Sequence, residues 1–250
     1  MHARILLLVC VAVAASSLTA SQSTATPPGP APASRPDVSQ LEQDTGVSWV
    51  TFADSDWGTT SMLRPRRRPP AVLTPDLRAV DVATAFLVRY GALFQLVDPA
   101  HELAFEQTGN RQGTSVSFTQ TEGGVSVFGT RVTVMFDVGG SIAFVSAGII
   151  PNLYRFPTHA ALSPAEAVAG ARADMNAKWK ANLPPTLEAT PPPQLIIYAP
   201  RHGTAPKLGY AMRVSYVNGP AGDISRRTAF DYVIDANSGA ILSAASTICT

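Results

Sequence analysis

The residues best suited to chemistry in this 250-residue chain are four histidines, two cysteines and a scatter of Asp, Asn and Ser. A zinc hydrolase needs two histidines one helical turn apart, with a glutamate beside the first: H-E-x-x-H. His101 precedes Glu102, but Phe105 stands where the second histidine belongs, and His2, His159 and His202 lie far apart. Each reads as a solvated loop residue. No Gly-x-Ser-x-Gly elbow occurs, and its nearest match, Gly140-Ser141, reads as a hairpin turn. There is no P-loop and no dinucleotide fingerprint. Asp235, Asn237 and Ser238 suggest a calcium loop but lack the further acids such a loop requires, so a tight turn is the reading. The pattern implies no catalytic residue, no metal and no cofactor.

Composition narrows the class further. The formal net charge is +1, which gives no field for nucleic acid. Residues 1–20 read as a secretory signal peptide. Arg4 lies in a weakly basic start, Ile5–Ala15 is an apolar run too short to span a bilayer, and a small-residue site follows near Ala20. The chain is therefore expected to be secreted or periplasmic, with no membrane segment after cleavage. Cys10 falls in the discarded peptide. Cys249 is then the lone cysteine, read as a free thiol, an intermolecular bridge or half of a pair.

Residues 21–73 are expected to be a flexible, Pro-rich tether and linker. Within them, Val47–Phe52 reads as an edge strand, and a ligand site on Trp49 and Trp57 is the alternative. Arg64–Pro70, RPRRRPP, suits contact with an acidic surface or a processing site, but its polyproline preference favours a stiff solvated linker. Thr74, Pro75 and Asp76 predict a helix start, followed by a stripe of Ala83, Phe86, Leu87, Tyr90, Leu93 and Phe94. Gly91 marks close packing within it.

Ser115–Pro151 alternates apolar and polar residues and breaks at Gly123-Gly124 and Gly139-Gly140. That pattern predicts a three-stranded antiparallel meander. Ser163, Pro164 and Glu166 then form a capping box opening a second helix, with Val168, Ala171, Met175 and Trp179 as its stripe. Strands are expected at Leu195–Tyr198, Leu208–Tyr216, Thr228–Ile234 and Ala240–Ser243. The fold class is α+β: two modules, each a helix on an antiparallel sheet, at residues 74–157 and 158–245, with a tail at 246–250.

Two motif sets carry a resemblance. Gln120-Thr121, then Gly124-Val125-Ser126-Val127-Phe128-Gly129, strand, turn, strand and Pro151 resemble the FTP module of thermolysin- and fungalysin-type zinc metalloprotease propeptides. Ser126 replaces the family's usual proline. Leu162, Ser163, Glu166 and Ala167, followed by Leu208-Gly-Tyr210 and then Tyr232, Val233, Asp235, Ala236, Ser238, Gly239 and Ile241, resemble a PepSY domain, cystatin-like in layout. Ile234 is inserted, and Ser238 stands for the common Thr. The modules follow the family's order, and the sequence reaches Thr250 without the catalytic domain. The resemblance implies a folding chaperone and inhibitor whose partner is a thermolysin-type zinc protease domain, in cis or in trans. It implies an extended tail, Ser243, Ala244, Ala245, Ser246, Thr247 and Ile248, lying in the substrate cleft. Gln120, Gly124, Val127, Phe128, Gly129, Ser163, Glu166, Tyr232, Asp235 and Gly239 are expected to build the fold rather than touch the partner. In particular, Phe128 is expected in the core and Gln120 as a buried amide satisfying turn backbone. The alternative is a secreted non-catalytic binding module for a peptide or surface polymer.

Overall fold

A computed structural model of the chain describes residues 37–110, 113–179, 192–200, 204–217 and 227–248. The expected signal peptide and Cys249 lie outside them. The elements run α1 (Ser39–Thr45), β1 (Trp49–Ala53), β2 (Thr60–Pro65), α2 (Ala79–Tyr90), a 3₁₀ turn (Gly91–Phe94), α3 (Pro99–Glu102) and β3 (Leu103–Gly109). They continue with β4 (Thr114–Glu122), β5 (Val125–Val127), β6 (Arg131–Phe136), β7 (Ile142–Gly148), α4 (Pro164–Trp179), β8 (Gln194–Tyr198), β9 (Lys207–Val217), β10 (Arg227–Asp235) and β11 (Ile241–Ile248). The fold is α+β.

The strands form one sheet in the order β1-β2-β7-β6-β4-β5-β8-β9-β10-β11, with β3 beside β4. The expected meander is β4, β6 and β7. Alternation drives it: Val132, Val134 and Phe136 of β6 are fully buried, while Arg131 is exposed and Thr133 and Met135 are half-buried. Gly123 and Gly124 join β4 to β5 with φ of 56° and 79°. Two successive positive φ values make a primed hairpin turn, which suits only residues tolerant of the left-handed region. The parallel pair β5–β8, Ser126 opposite Ile196 and Val127 opposite Ile197, carries the sheet onward.

The chain that pairs with β4 changes along its length. On one edge β6 pairs with Thr114–Phe118 and β5 with Thr121 and Glu122, leaving Thr119 and Gln120 without a ladder partner on that edge, while β3 pairs with them on the other. Thr130 fills the gap. Its hydroxyl accepts the Gln120 backbone N–H (3.2 Å) and donates to Val127 O (2.8 Å). The Gln120 side chain spans from this split to the chain leaving β7. Its Nε2 donates to Ile150 O and its Oε1 accepts Ile150 N–H, both at 2.9 Å. Gln120 is buried, so these bonds satisfy groups that water cannot reach.

Two apolar cores form among the described residues. In the first, α2 contributes Ala83, Phe86 and Leu87 against Val116, Val134 and Val145. In the second, Ala167, Ala171 and Met175 of α4 pack on Ile197, Tyr210 and Tyr232.

Three expectations are corrected. Residues 37–73 are not a tether: α1, β1 and β2 are built there, and Leu41, Trp49 and Leu63 are buried in the first core. Few apolar residues suffice because each falls where the hairpin and helix face inward. Glu42 accepts the Trp49 N–H (2.8 Å), and Thr45 accepts its indole N–H (3.0 Å). β1 is nevertheless the edge strand that the sequence predicts. RPRRRPP is likewise no linker: β2 runs through Pro65, and Arg68 closes on Asp137 at 2.8 Å. Finally, α2 begins at Ala79 rather than at Thr74. The Thr74 hydroxyl donates to Asp76 (2.6 Å) instead of capping a helix, and residues 74–77 form a turn. Gly91 does mark close packing, since a Cβ there would lie 2.3 Å from Pro99 Cγ.

Two mutations test this account. Trp49→Ala should cost about 3–5 kcal/mol of stability in urea denaturation; a tether residue would change it by less than about 0.5 kcal/mol. Gln120→Leu strands the Ile150 N–H and C=O at roughly 1–3 kcal/mol each, so it should lower the urea midpoint clearly without abolishing secondary structure.

Candidate functional site

The Gly124–Gly129 run is laid along the split. Val125 and Val127 pack in the second core, as alternation on β5 demands. Ser126 and Phe128 therefore face the other way. Phe128 corrects a further expectation: it is 53% exposed rather than in the core. Its backbone N–H donates to Ile197 O (2.9 Å), which fixes it at the junction with β8, and Gly129 follows with φ 75°. Across the junction its ring meets Tyr198, with centroids 5.7 Å apart and planes tilted 57°.

Phe128 is the ridge between two hollows on the sheet face opposite α4. One, of about 500 Å³, runs over β9, β10 and β11 between Tyr198, Ala211, Val233, Ser243 and Ala245. Arg213 and Asp231, directly paired across β9 and β10, form a two-pronged ion pair on its floor at 2.7 and 2.9 Å. The other hollow, of about 450 Å³, lies at the split itself between Thr119, Ser126, Thr130, Arg131 and Gln194. The aromatic rings of Phe128 and Tyr198, small apolar residues, hydroxyls, the Gln194 amide and the charged Arg131, Arg213 and Asp231 line the two hollows. Among the described residues, no three His, Cys, Asp or Glu side chains gather as a metal-holding group. His101 is exposed and bonded to Asp98 (2.7 Å), and His159 is exposed; His202 lies outside the described residues.

The second motif set holds α4 and the last hairpin in place. Ser163 and Glu166 make the full capping box: Glu166 N–H donates to Ser163 Oγ (3.3 Å), and Ser163 N–H donates to Glu166 Oε2 (2.7 Å). The Tyr232 hydroxyl donates to Asp174 of α4 (3.0 Å), and the Tyr210 hydroxyl to Leu162 O (2.9 Å). Burial, followed by the Asp174 bond and charge, pushes the Tyr232 phenol well above its ordinary value. Asp235 organises the turn before β11, accepting the N–H groups of Asn237 (2.9 Å) and Ser238 (3.0 Å), while Gly239 N–H returns to Asp235 O. Burial raises the Asp235 pKa, but those two N–H groups and Lys207, 3.4 Å away, together outweigh it and hold the pKa below the carboxylate norm.

The expected tail is corrected too. Ser243–Ile248 is no free segment but most of β11, paired with β10 from Thr228↔Ile248 to Val233↔Ser243. The predicted strand ended at Ser243 because Ala, Ser and Thr carry little apolar signal, yet β10 supplies a full ladder. β11 closes the strand order, and no strand pairs with its outer edge among the described residues. Ser243 and Ala245 line the larger hollow, and Ala244, Ala245 and Ser246 are exposed. Sequence reasoning missed Tyr198, Gln194 and the Arg213–Asp231 pair. Alternation along β8 signalled that Tyr198 and Gln194 share a face; only the fold brings that face to Phe128.

No family model matches the chain, and no curated protein matches it. Among solved structures it is similar to the C-terminal domain of Bacillus megaterium YpeB. The two share 14% identity at a TM-score of 0.35, over 82% of this chain and 86% of that one.

The Asp235 turn makes a pH-dependent prediction. A carboxylate with a depressed folded pKa stabilises above its unfolded value, near 3.9, and that stabilisation is lost as pH falls through the folded value. Asp235→Ala should therefore be less stable than the parent at pH 7. The difference in thermal midpoint should shrink steadily once the pH drops below about 4.

Proposed function

We propose that this chain is a secreted, propeptide-like protein that assists the folding of a thermolysin-type zinc protease domain and inhibits it. Two motif sets in series support this reading. The observation that carries it is the groove beside Phe128, bordered by an edge strand whose outer ladder is open. An extended segment laid beside β11 gains main-chain hydrogen bonds, while its alternate side chains enter the groove. In this reading the contact is the groove and strand β11, in place of a free tail, and the helix-on-sheet units act as two modules joined at the β5–β8 pair. Ser163, Glu166, Tyr232, Asp235 and Gly239 hold that surface in shape. Phe128, placed in the contact, is the departure from the sequence reading.

The second reading, a binding module for a surface polymer, draws on the hydroxyl-rich hollow of Thr119, Ser126 and Thr130. A single titration separates the two. Protein purified after export is added to a thermolysin-type zinc protease with casein as substrate, and to the urea-denatured protease during refolding. The protease reading expects inhibition and improved refolding. Phe128→Ala should weaken inhibition by roughly thirtyfold, the loss of a central aromatic anchor, with the thermal midpoint little changed because the ring is half-exposed. Neither inhibition nor refolding assistance would contradict the reading and favour the polymer module.

A further inference from the structure

The β1–β2 ribbon carries a second surface, at the end of the strand order opposite β11. Arg68, Arg89, Arg131 and Arg213 each close on a carboxylate. Arg64, Arg66 and Arg67 are exposed, and none of them pairs with a carboxylate among the described residues. Three bare guanidinium groups within four residues repel one another, and a loose segment would spread them apart. This segment is held. Arg66 N–H donates to Ser48 O (2.8 Å), Arg64 sits in β2 opposite Val50, and Pro69 is buried. On the far side of the three, Arg68 bonds both Asp137 (2.9 Å) and Ser141 (3.3 Å). The same sheet face presents Phe52 and Met62, paired directly across β1 and β2 and exposed at 49% and 36%.

We infer that Arg64, Arg66 and Arg67 form a docking ridge for a carboxylate-rich segment of a partner polypeptide, with Phe52 and Met62 as its apolar flank. Guanidinium groups pair with carboxylates two-pronged, so a fixed row of them suits Asp- and Glu-bearing chain. The hairpin's own acids favour a short segment over a flat anionic surface. Asp54 and Asp56 sit at the turn, beyond Thr60, so a membrane plane resting on the ribbon would meet carboxylates at that end. From Thr60 to Arg64 is roughly 13 Å of strand, beyond the Debye length of about 8 Å at physiological salt. Those acids therefore leave the arginine end unscreened for a local partner. The ridge stands independently of the protease reading, since its chemistry asks only for an acidic chain.

The test uses a fluorescein-labelled hexaglutamate peptide, read by anisotropy against the protein purified after export, at low and at physiological salt. The peptide should bind, more tightly at low salt. R64Q/R66Q/R67Q should weaken binding by about tenfold, as three exposed ion pairs of about half a kcal/mol each would give. Arg78→Gln, which removes one guanidinium charge from the exposed Arg78–Asp81 pair, as each single ridge variant does, should leave affinity unchanged. Circular dichroism checks the fold, and should the triple variant misfold, Arg66→Gln and Arg67→Gln singly should each lose about twofold to threefold. Absence of peptide binding, an equal loss in Arg78→Gln, or binding to phosphatidylglycerol vesicles without binding to the peptide would overturn the proposal.

Discussion

The structure depends on how one edge of β4 serves two partners, β6 and β5, while β3 takes the other edge. β4 pairs with β6 along its first half and with β5 at its end, and the ladder has a gap between them. An open gap in a buried strand would leave backbone groups unpaired at a cost of roughly 1–3 kcal/mol each. Thr130 and Gln120 close it with side chains, and the Gln120 amide ties the split to Ile150. Because β5 leaves β6 at this point, it is free to pair with β8 in parallel and extend the sheet into the second core. Phe128, exposed at this junction, stands between the two hollows. The smaller hollow lies at this gap, which the chain closes with two buried polar side chains, and Phe128 separates it from the larger one over β9–β11.

Much of this was legible in the residues, and for identifiable reasons. Period-two alternation between glycine pairs located β4, β6 and β7, because a half-buried strand must alternate. The Ser163–Glu166 box located the start of α4, because its two bonds are local. Gln120 was read as a buried amide satisfying backbone and is one, although its partner is Ile150 rather than the turn. The Asp235 turn is tight, as its Asn, Ser and Gly content implied.

The misreadings share a cause: each residue's environment is set by chain far away in sequence. Composition over residues 21–73 is dominated by Pro, Ser and Thr, yet Leu41, Trp49 and Leu63 need only the first core to become buried. Phe128 looks like a core residue by hydropathy, but the register Val127↔Ile197 sends Val127 inward and Phe128 out. Ser243–Ile248 lacks apolar signal, and only its pairing with β10 makes it a strand. Arg68 resembles its three neighbours in sequence and differs from them only because the Asp137 turn lies beside it. Local periodicity reports on faces, and it is silent on what those faces meet.

In the proposed function, the Phe128 groove and the outer edge of β11 receive a partner's extended chain. Hydrogen–deuterium exchange tests it most directly. The exported protein would be compared alone and mixed with a thermolysin-type zinc protease whose catalytic glutamate is replaced, so that the complex is not digested. Backbone amides of β11 at an unpaired edge should exchange quickly in the free protein. The account predicts that amides in 241–248 and 126–130 slow on mixing, while those of α2 stay unchanged. Binding that leaves β11 and the Phe128 segment exchanging at their free rates would contradict it.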